Sequence, residues 1–410
     1  MYNEHTVQRN TPTQLPWNRK DRPITEDELT WLQSPQGCSA CKAMAHDDPA
    51  DTPAAVARWR RKLQPERVAA AWNQVRLRIL ARDKFARADE MFFDRVALEQ
   101  ATDEVIAQHK AKRFAGVSRV ADLCCGIGGE TIALASVCDV TAVDRSPVRV
   151  RMTEHNVSAH DRTVRAICSD VANDRQEADA INVDPDRRPK GPRRHDPAAG
   201  SPDLRTLVQL VQHHEHAAIK LSPGVDFDML PFDAEIELIS HHRECKQAIA
   251  WIGRFNRNHR TATVLPAGES ISASKNTDTT WPQPQPITPG SYLYEPDSAV
   301  IRANLVGLLA QQQNLNPIDE QIAYLTADHL LISSFATAFR VIDVTDFSVK
   351  KLRPWLTTHN VESLDIKTRG FAASPEDIIR SLKLNGTRHA TLFLTRQKQN
   401  PIAILAERLP

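Results

Sequence analysis

Between residues 119 and 265, short apolar segments alternate with stretches of helix length, and that rhythm restricts the fold more than any other property of the chain. Strands are expected at 119–124, 139–144, 164–170, 178–184, 217–221, 235–240 and 246–253, with another near 261–265. A parallel neighbour is reached only through a crossover, so this alternation implies βαβ units and a sheet with helices on both faces. The expected class is α/β, with a Rossmann-like sheet at its centre.

The flanking regions read differently. Residues 1–54 are polar and proline-punctuated and are expected to be loosely ordered. They hold Cys38 and Cys41 in a CxxC with His46 nearby, which reads as two ordinary thiols, since a structural zinc site needs four ligands. No metal is expected. Residues 55–115 form a helical, basic module: Pro65 suits a first turn, and Val68, Trp72, Val75 and Ile79 make an apolar stripe. A further helix is expected over 98–114. The α/β domain with the alternating strands spans 116–265, and 266–290 reads as a Pro/Ser/Thr-rich linker. Residues 291–410 form a small α/β domain with helices at 297–311, 349–358 and 375–384. Its strands fall at 338–344, 363–367, 390–395 and 402–407.

Composition adds exclusions. The 410 residues are 41% hydrophobic and 25% charged, as in ordinary globular proteins. No apolar run approaches the ~18 residues of a membrane span, and the first residues lack the pattern of a secretory signal. Seven cysteines are too few, and odd in number, for a disulfide framework, so a cytoplasmic location is expected. Net charge is only +1, but residues 58–87 carry ten Lys or Arg against Glu66 and Asp83. A second basic run, 186–194, contains Arg187, Arg188, Lys190, Arg193 and Arg194. Either run is a solvated face or a phosphate-binding surface, the second if it flanks nucleotide chemistry.

The strongest local motif is ADLCCGIGGE (121–130), a strand running through a glycine turn into a helix. The dinucleotide fingerprint G-x-G-x-x-G fails here, because its third glycine falls at Thr131. Asp122 in the strand end fits an S-adenosylmethionine loop better, with Cys124, Gly126 and Gly128 forming the turn. Asp144, with Arg145 after it, ends the second strand, where a carboxylate meets ribose hydroxyls. Asp170 ends the third strand, within reach of an adenine amine, and Asp184 ends the fourth in NVDPDRR. A lone acid after a strand is commonly a helix cap; four in succession beside a glycine loop indicate a nucleoside site. The Asp184-Pro185 turn can accept both N–H bonds of an exocyclic amine and aim its lone pair at a methyl group. Asp184 and Pro185 are therefore the candidate catalytic pair.

These residues, together with MFF (91–93), LEQAT (98–102), AVDRSP (142–147), IKLSPG (219–224), YLYEPD (292–297) and AVIRANLVG (299–307), resemble a bacterial family. Its members are class I S-adenosylmethionine-dependent methyltransferases with a C-terminal THUMP-like domain, and the likeness spans about residues 55–410. Their catalytic domain is similar to trimethylguanosine synthases, which methylate an exocyclic guanine nitrogen. The resemblance implies a seven-stranded class I sheet and an RNA methyltransferase acting at guanine N2 of tRNA or rRNA. It also implies that Gln100 and Thr102 fold over the methionine end of the cofactor; the alternative is a capped helix start before Val105.

Two departures bear on the substrate. Asp186 and Arg187 stand where amine methyltransferases carry a second proline and a stacking aromatic. Arg187 would stack through its guanidinium or hold a phosphate, while Trp59, Trp72, Phe92 and Phe93 are stacking faces or core. The THUMP-like domain also follows the catalytic domain rather than preceding it. Arg187, Arg188, Arg193, Arg194 and Lys220 are the candidate substrate contacts. His213, His214 and His216 read as a solvated helix face, and Cys125 as a small packing residue. The alternatives are methylation of DNA, protein or a small molecule, or a non-catalytic module that binds the cofactor or RNA.

Overall fold

Thr25 opens the first helix with a reciprocal cap: its hydroxyl accepts from the Glu28 amide, and the Glu28 carboxylate accepts from the Thr25 amide. The structure, a computed structural model, describes residues 23–47, 52–173, 176–186, 200–370, 378, 382, 384–398 and 400–410. Helix α1 (Glu26–Gln33) leads into α2 (Pro35–Met44), capped by Ser34 with Pro35 in the first turn. The expectation of loose order over 1–54 therefore fails at 26–44. Leu29, Leu32, Cys41 and Met44 are buried in one cluster with Val68 and Ala71, so the proline and the polar residues encode caps. The Cys38 and Cys41 thiols point at the carbonyls of Leu32 and Ala71.

Helix α3 (Thr52–Trp59) precedes α4 (Pro65–Ala81), on which Val68, Ala71, Gln74, Val75 and Leu77 are buried. Ile79, expected on that stripe, is exposed. Arg78 takes the inner position instead, donating to the Met91 carbonyl with its guanidinium over the Phe92 ring. The single helix expected over 98–114 is two, α5 (Arg95–Gln100) and α6 (Glu104–Ala111), followed by a 3-10 turn (Lys112–Phe114). Extended backbone at Ala101 interrupts them and lets Thr102 turn inward.

The core strands follow as β1 (Arg119–Leu123), β2 (Asp139–Asp144), β3 (Arg165–Cys168), β4 (Ala180–Val183), β5 (Ala217–Leu221), β6 (Ala234–His241), β7 (Glu244–Ile252), β8 (Arg260–Leu265) and β9 (Glu269–Ala273). Helices α7 (Gly129–Leu134), α8 (Pro147–Ser158) and α9 (Leu204–His214) lie between them in sequence. Residues 119–273 form nine strands, where a seven-stranded sheet was expected. One strand read as part of the series, β8, and one not expected at all, β9, supply the excess; Gly268 at φ +74 lets β8 turn back into β9 inside the stretch read as linker.

The described residues form two bodies, one from those of 23–235 and 247–257, the other from those of 236–246 and 258–410. In the first, strands run in the order β3-β2-β1-β4-β5-β7. The first five are mutually parallel, whereas β7 is antiparallel to β5 with Leu221 opposite Ala248. The carboxyl ends of β1 to β5 and the Gln247 end of β7 thus share one sheet edge. The N-terminal helices share a core with this domain: Phe85, Phe92, Phe93 and Leu98 pack with Ile127, Ile132, Met152 and Val157. Phe92 and Phe93 are core residues, not stacking faces. Gln74 pairs with both backbone groups of Phe93, and Asn156 does the same for Phe92 while also donating to the Ile127 carbonyl.

In the second body, β6 runs parallel to β8. Its C-terminal part holds β10 (Tyr292–Pro296), α10 (Ser298–Arg302), α11 (Val306–Gln313), β11 (Asn316–Asp319), β12 (Ile322–Ala327), β13 (Ala336–Asp346), α12 (Val349–Thr358), β14 (Val361–Thr368), β15 (Arg388–Gln397) and β16 (Asn400–Arg408). The helix expected over 297–311 is split where Asn304 adopts φ +58. Of the helix expected at 375–384, residues 378 and 382 are helical and most of the rest lies outside the described residues. The seven-stranded sheet runs β11-β12-β10-β13-β16-β15-β14. Ile402, Ile404 and Ala406 face one core with Tyr324 and Phe393, and Ala403 and Leu405 face another with Leu352 and Leu356.

Removing the Asn156 amide leaves three buried backbone groups without their partner. Asn156→Ala is expected to lower unfolding free energy by about 2–3 kcal/mol in urea titration. A loss below about 0.5 kcal/mol would contradict the clamp.

Candidate active site

After β1 the chain enters the left-handed region three times, at Cys124 (φ 63), Gly126 (φ 61) and Gly128 (φ 84). A Cβ on Gly126 would meet nothing within 4 Å, so open space lies over the loop there. At Gly128 it would press on Thr153 at 3.1 Å. The loop is tied to the second strand end, because the Gly126 amide donates to Asp144 Oδ2 at 3.0 Å and the Ser146 amide to Asp144 Oδ1 at 2.9 Å. Thr153 Oγ1 donates to the Gly126 carbonyl at 2.9 Å. Burial raises the Cys124 thiol well above its ordinary range, and Asp144, Asp184 and Asp122 add to the effect. It is therefore a neutral packing group.

Beneath the loop lies a buried polar network. Asp122 accepts from Thr131 Oγ1 at 2.5 Å and from Asn182 Nδ2 at 2.8 Å. The same Asn182 amide donates to Glu130 Oε2 at 2.7 Å. Glu130 also accepts from Thr102 Oγ1 at 2.7 Å and forms an ion pair with Lys110. Lys220 Nζ donates to Thr102 Oγ1 at 2.9 Å and to Asp184 Oδ2 at 2.7 Å, and lies 3.4 Å from the Gln100 carbonyl. Thr102 has one hydroxyl proton, given to Glu130, so the Gln247 amide 3.4 Å away bonds it best with its NH2 group turned inward.

The two buried acids at the centre respond in opposite directions. Burial works against ionisation of Glu130, but Lys110 and then Lys220 outweigh it and hold its carboxyl down at about 2. Burial and the neighbouring Glu130 charge push Asp122 up to about 7, in spite of its bonds to Thr131 and Asn182.

The turn after β4 is braced at both ends. Lys220 holds Asp184, and Gln100 Nε2 donates to Asp186 Oδ1 at 3.0 Å. The Asp186 backbone exchanges two bonds with Ser201, which Arg145 approaches at 3.4 Å. Pro185 is buried between the two acids. Asp170 is exposed, with Oδ1 accepting from the Ala172 amide at 3.0 Å.

The structure thus brings Asp122, Cys124, Gly126, Gly128, Asp144, Gln100, Thr102, Asp184 and Lys220 to one sheet edge. Lys220 is 5% exposed, so it faces Asp184 rather than solvent. Arg187, Arg188, Arg193 and Arg194 lie outside the described residues. Among the ten basic residues of 58–87, Arg58, Arg82 and Arg87 pair with Asp47, Asp89 and both Glu90 and Asp161. Lys84 donates to carbonyls of Leu98 and Ala101. Arg60, Arg61, Lys62 and Arg67 are exposed, with Lys62 over Trp59 and Arg67 over Trp31. His214 is buried, unlike the solvated face expected for it. Sequence reasoning missed Lys110, Glu130, Asn182 and Gln247. The one signal was Lys110 itself, a charge on the apolar face of Ile106, Ala107 and Ala111.

Comparison with known proteins decides the family. Over 315 residues, covering 75% of this chain and 85% of the relative, the sequence is 32% identical to an uncharacterized S-adenosylmethionine-dependent methyltransferase of Mycobacterium tuberculosis, in each of two strains. The chain belongs to the S-adenosylmethionine-dependent methyltransferases. Within this methyltransferase, residues 117–219 match the family model of RNA cap guanine-N2 methyltransferases. Residues 336–408 match a THUMP domain-like model, and 25–81 match a domain of unknown function. The crystal structure of a methyltransferase candidate from Porphyromonas gingivalis W83 shares the fold. It covers 94% of this chain and 100% of its own, with TM-score 0.76 and 19% identity.

The loop fits the methyl donor, since Gly126 leaves open space beside the Asp144 carboxylate. S-adenosylmethionine is the cofactor. Among the described residues no helix is long and apolar enough to cross a membrane.

The two buried acids give stability a defined pH dependence. Asp122 has its folded value raised from 3.8 to about 7, so the folded state binds more protons between these limits and loses stability as pH rises. Glu130, lowered from 4.5 to about 2, acts between those values, its contribution being lost as pH falls. Asp122→Asn should therefore flatten the fall in urea midpoint between about pH 4.5 and 7, relative to wild type. Parallel wild-type and variant curves across that range would contradict the assignment.

Proposed function

We propose that this methyltransferase modifies an exocyclic amine of a base in structured RNA, with guanine N2 of tRNA or rRNA as the target, and that it works in the cytoplasm. The observation that carries the reading is the braced Asp184-Pro185-Asp186 turn beside a glycine loop, in a segment that matches a guanine-N2 family model. Amine methyltransferases, which this turn resembles, usually carry a second proline where Asp186 stands. Here hydrogen bonds from Gln100 and Ser201 to Asp186 brace the turn. The THUMP-like match and the exposed Arg60, Arg61, Lys62 and Arg67 support an RNA partner, as does the basic run 187–194 directly after the turn. Seven cysteines, none of them in a disulfide, fit a reducing compartment.

The cofactor supplies an electrophilic methyl group carried on a sulfonium. Asp184 accepts a hydrogen bond from the target amine and aligns its lone pair with that methyl carbon. Held at the glycine loop beside Asp144, the cofactor would give its methyl group to the amine nitrogen with the carbon–sulfur electron pair returning to sulfur, and the nitrogen would then shed one proton to solvent. Asp144 holds the ribose, Gln100 and Thr102 enclose the methionine end, and Asp122 supports the loop from below through Thr131.

Labelled methyl transfer to total RNA, DNA and protein from cells lacking the gene tests this reading. Label is expected in one RNA species as an N2-methylated guanosine, with Asp184→Asn reducing the rate by about 100-fold or more. Label confined to DNA or protein, or full activity in the variant, would contradict it.

A further inference from the structure

Lys220 was expected at the substrate mouth, yet its ammonium is buried and bonded to three oxygens of the protein. Those oxygens belong to Thr102 (2.9 Å), Asp184 (2.7 Å) and the Gln100 carbonyl (3.4 Å). An ammonium has three protons, so its bonding capacity is filled by these partners. It has no donor left for a phosphate or a base. Its counter-charges are Asp184 in direct contact and Glu130, reached through Thr102. Facing it from the packed elements are Lys110 on α6 and Glu130 on α7, which form their own ion pair, and Gln247 on β7, which is neutral.

We infer that Lys220 is a positioning residue for methyl transfer: anchored by Thr102 and Gln100, it holds one oxygen of Asp184 so that the other faces the target amine. This inference rests on the amine-methylation reading given above. The geometry carries it further than a structural role would require. Asp184 is about a quarter exposed (27%), while its partner Lys220 is sealed from water (5%). A carboxylate at a strand end with solvent access samples several rotamers; one bonded to a buried ammonium that Thr102 and Gln100 also hold is restricted in its choice. Lys220 also joins the segment around Gln100 and Thr102 to the reacting turn.

The test compares Lys220→Met, Lys220→Ala and Asp184→Asn. S-adenosylhomocysteine is the binding probe, and total RNA from cells lacking the gene is the methyl acceptor. Lys220→Met is expected to lower kcat by about 30-fold or more, with S-adenosylhomocysteine affinity and apparent KM for RNA each within about threefold of wild type. In Lys220→Ala, ethylammonium should refill the vacated site and restore at least about fivefold of the lost rate, whereas tetramethylammonium at equal ionic strength should not, since it has no N–H to donate. Rescue is read in the Ala variant even if the Met variant proves unstable. Lys220→Met with kcat within about threefold of wild type, beside an inactive Asp184→Asn, would overturn the inference alone. Equal loss of cofactor affinity and rate without ethylammonium rescue would overturn it too, by assigning Lys220 a purely structural role. Full activity of Asp184→Asn would instead overturn the underlying amine reading.

Discussion

Burying the Glu130 carboxylate costs several kcal/mol of hydration, and the surrounding elements are arranged to offset that cost. Lys110 arrives from α6, Asn182 from β4 and Thr102 from the break between α5 and α6. Each partner is thereby fixed as well. Asn182 carries the constraint to Asp122 at the root of the glycine loop, and Thr102 carries it to Lys220 and from there to Asp184. A single buried anion thus couples the floor of the cofactor loop to the turn that meets the substrate. Truncating one partner of such a group is far more damaging than truncating an exposed one.

This arrangement explains why the helices before β1 belong to the catalytic domain. Their core is continuous with that of α7 and α8 through Phe92, Phe93, Ile127 and Met152. Reciprocal amide clamps from Gln74 and Asn156 hold the connecting strip. Packing of this kind sets where α5 ends, hence where Gln100 and Thr102 sit. Half of the ten basic residues of 58–87 serve the packing of the module itself. Arg58, Arg78, Arg82, Lys84 and Arg87 are engaged within the body, and of the exposed remainder Lys62 lies over Trp59 and Arg67 over Trp31.

The parallel sheet, the glycine loop and the acids at successive strand ends were legible in the sequence because each has a local signature: apolar runs of strand length, a glycine that permits positive φ, an acid at a fixed offset. Helices α1 and α2 were not legible, since their signal lay in caps around Thr25 and Ser34 rather than in apolar periodicity. Strand β9 and the hairpin β11–β12 were hidden in polar or proline-containing segments whose alternation is short. The network was least legible. Its pairs join residues distant in sequence, such as Lys220 with Thr102 or Asn182 with Glu130, and no local pattern encodes such a meeting. Lys220 was identified as a site residue but given the wrong neighbour for the same reason: strand position fixes the edge it occupies, not the depth of its head group.

Thr102→Val tests the coupling most directly, because valine keeps the shape of the side chain and removes only the hydroxyl shared by Glu130 and Lys220. The variant's fold would be checked by circular dichroism, S-adenosylhomocysteine binding measured by calorimetry, and methyl transfer measured on the same sample. A single network predicts that affinity and kcat both fall, each by about tenfold or more. Wild-type affinity and wild-type kcat in a folded Thr102→Val protein would contradict the account.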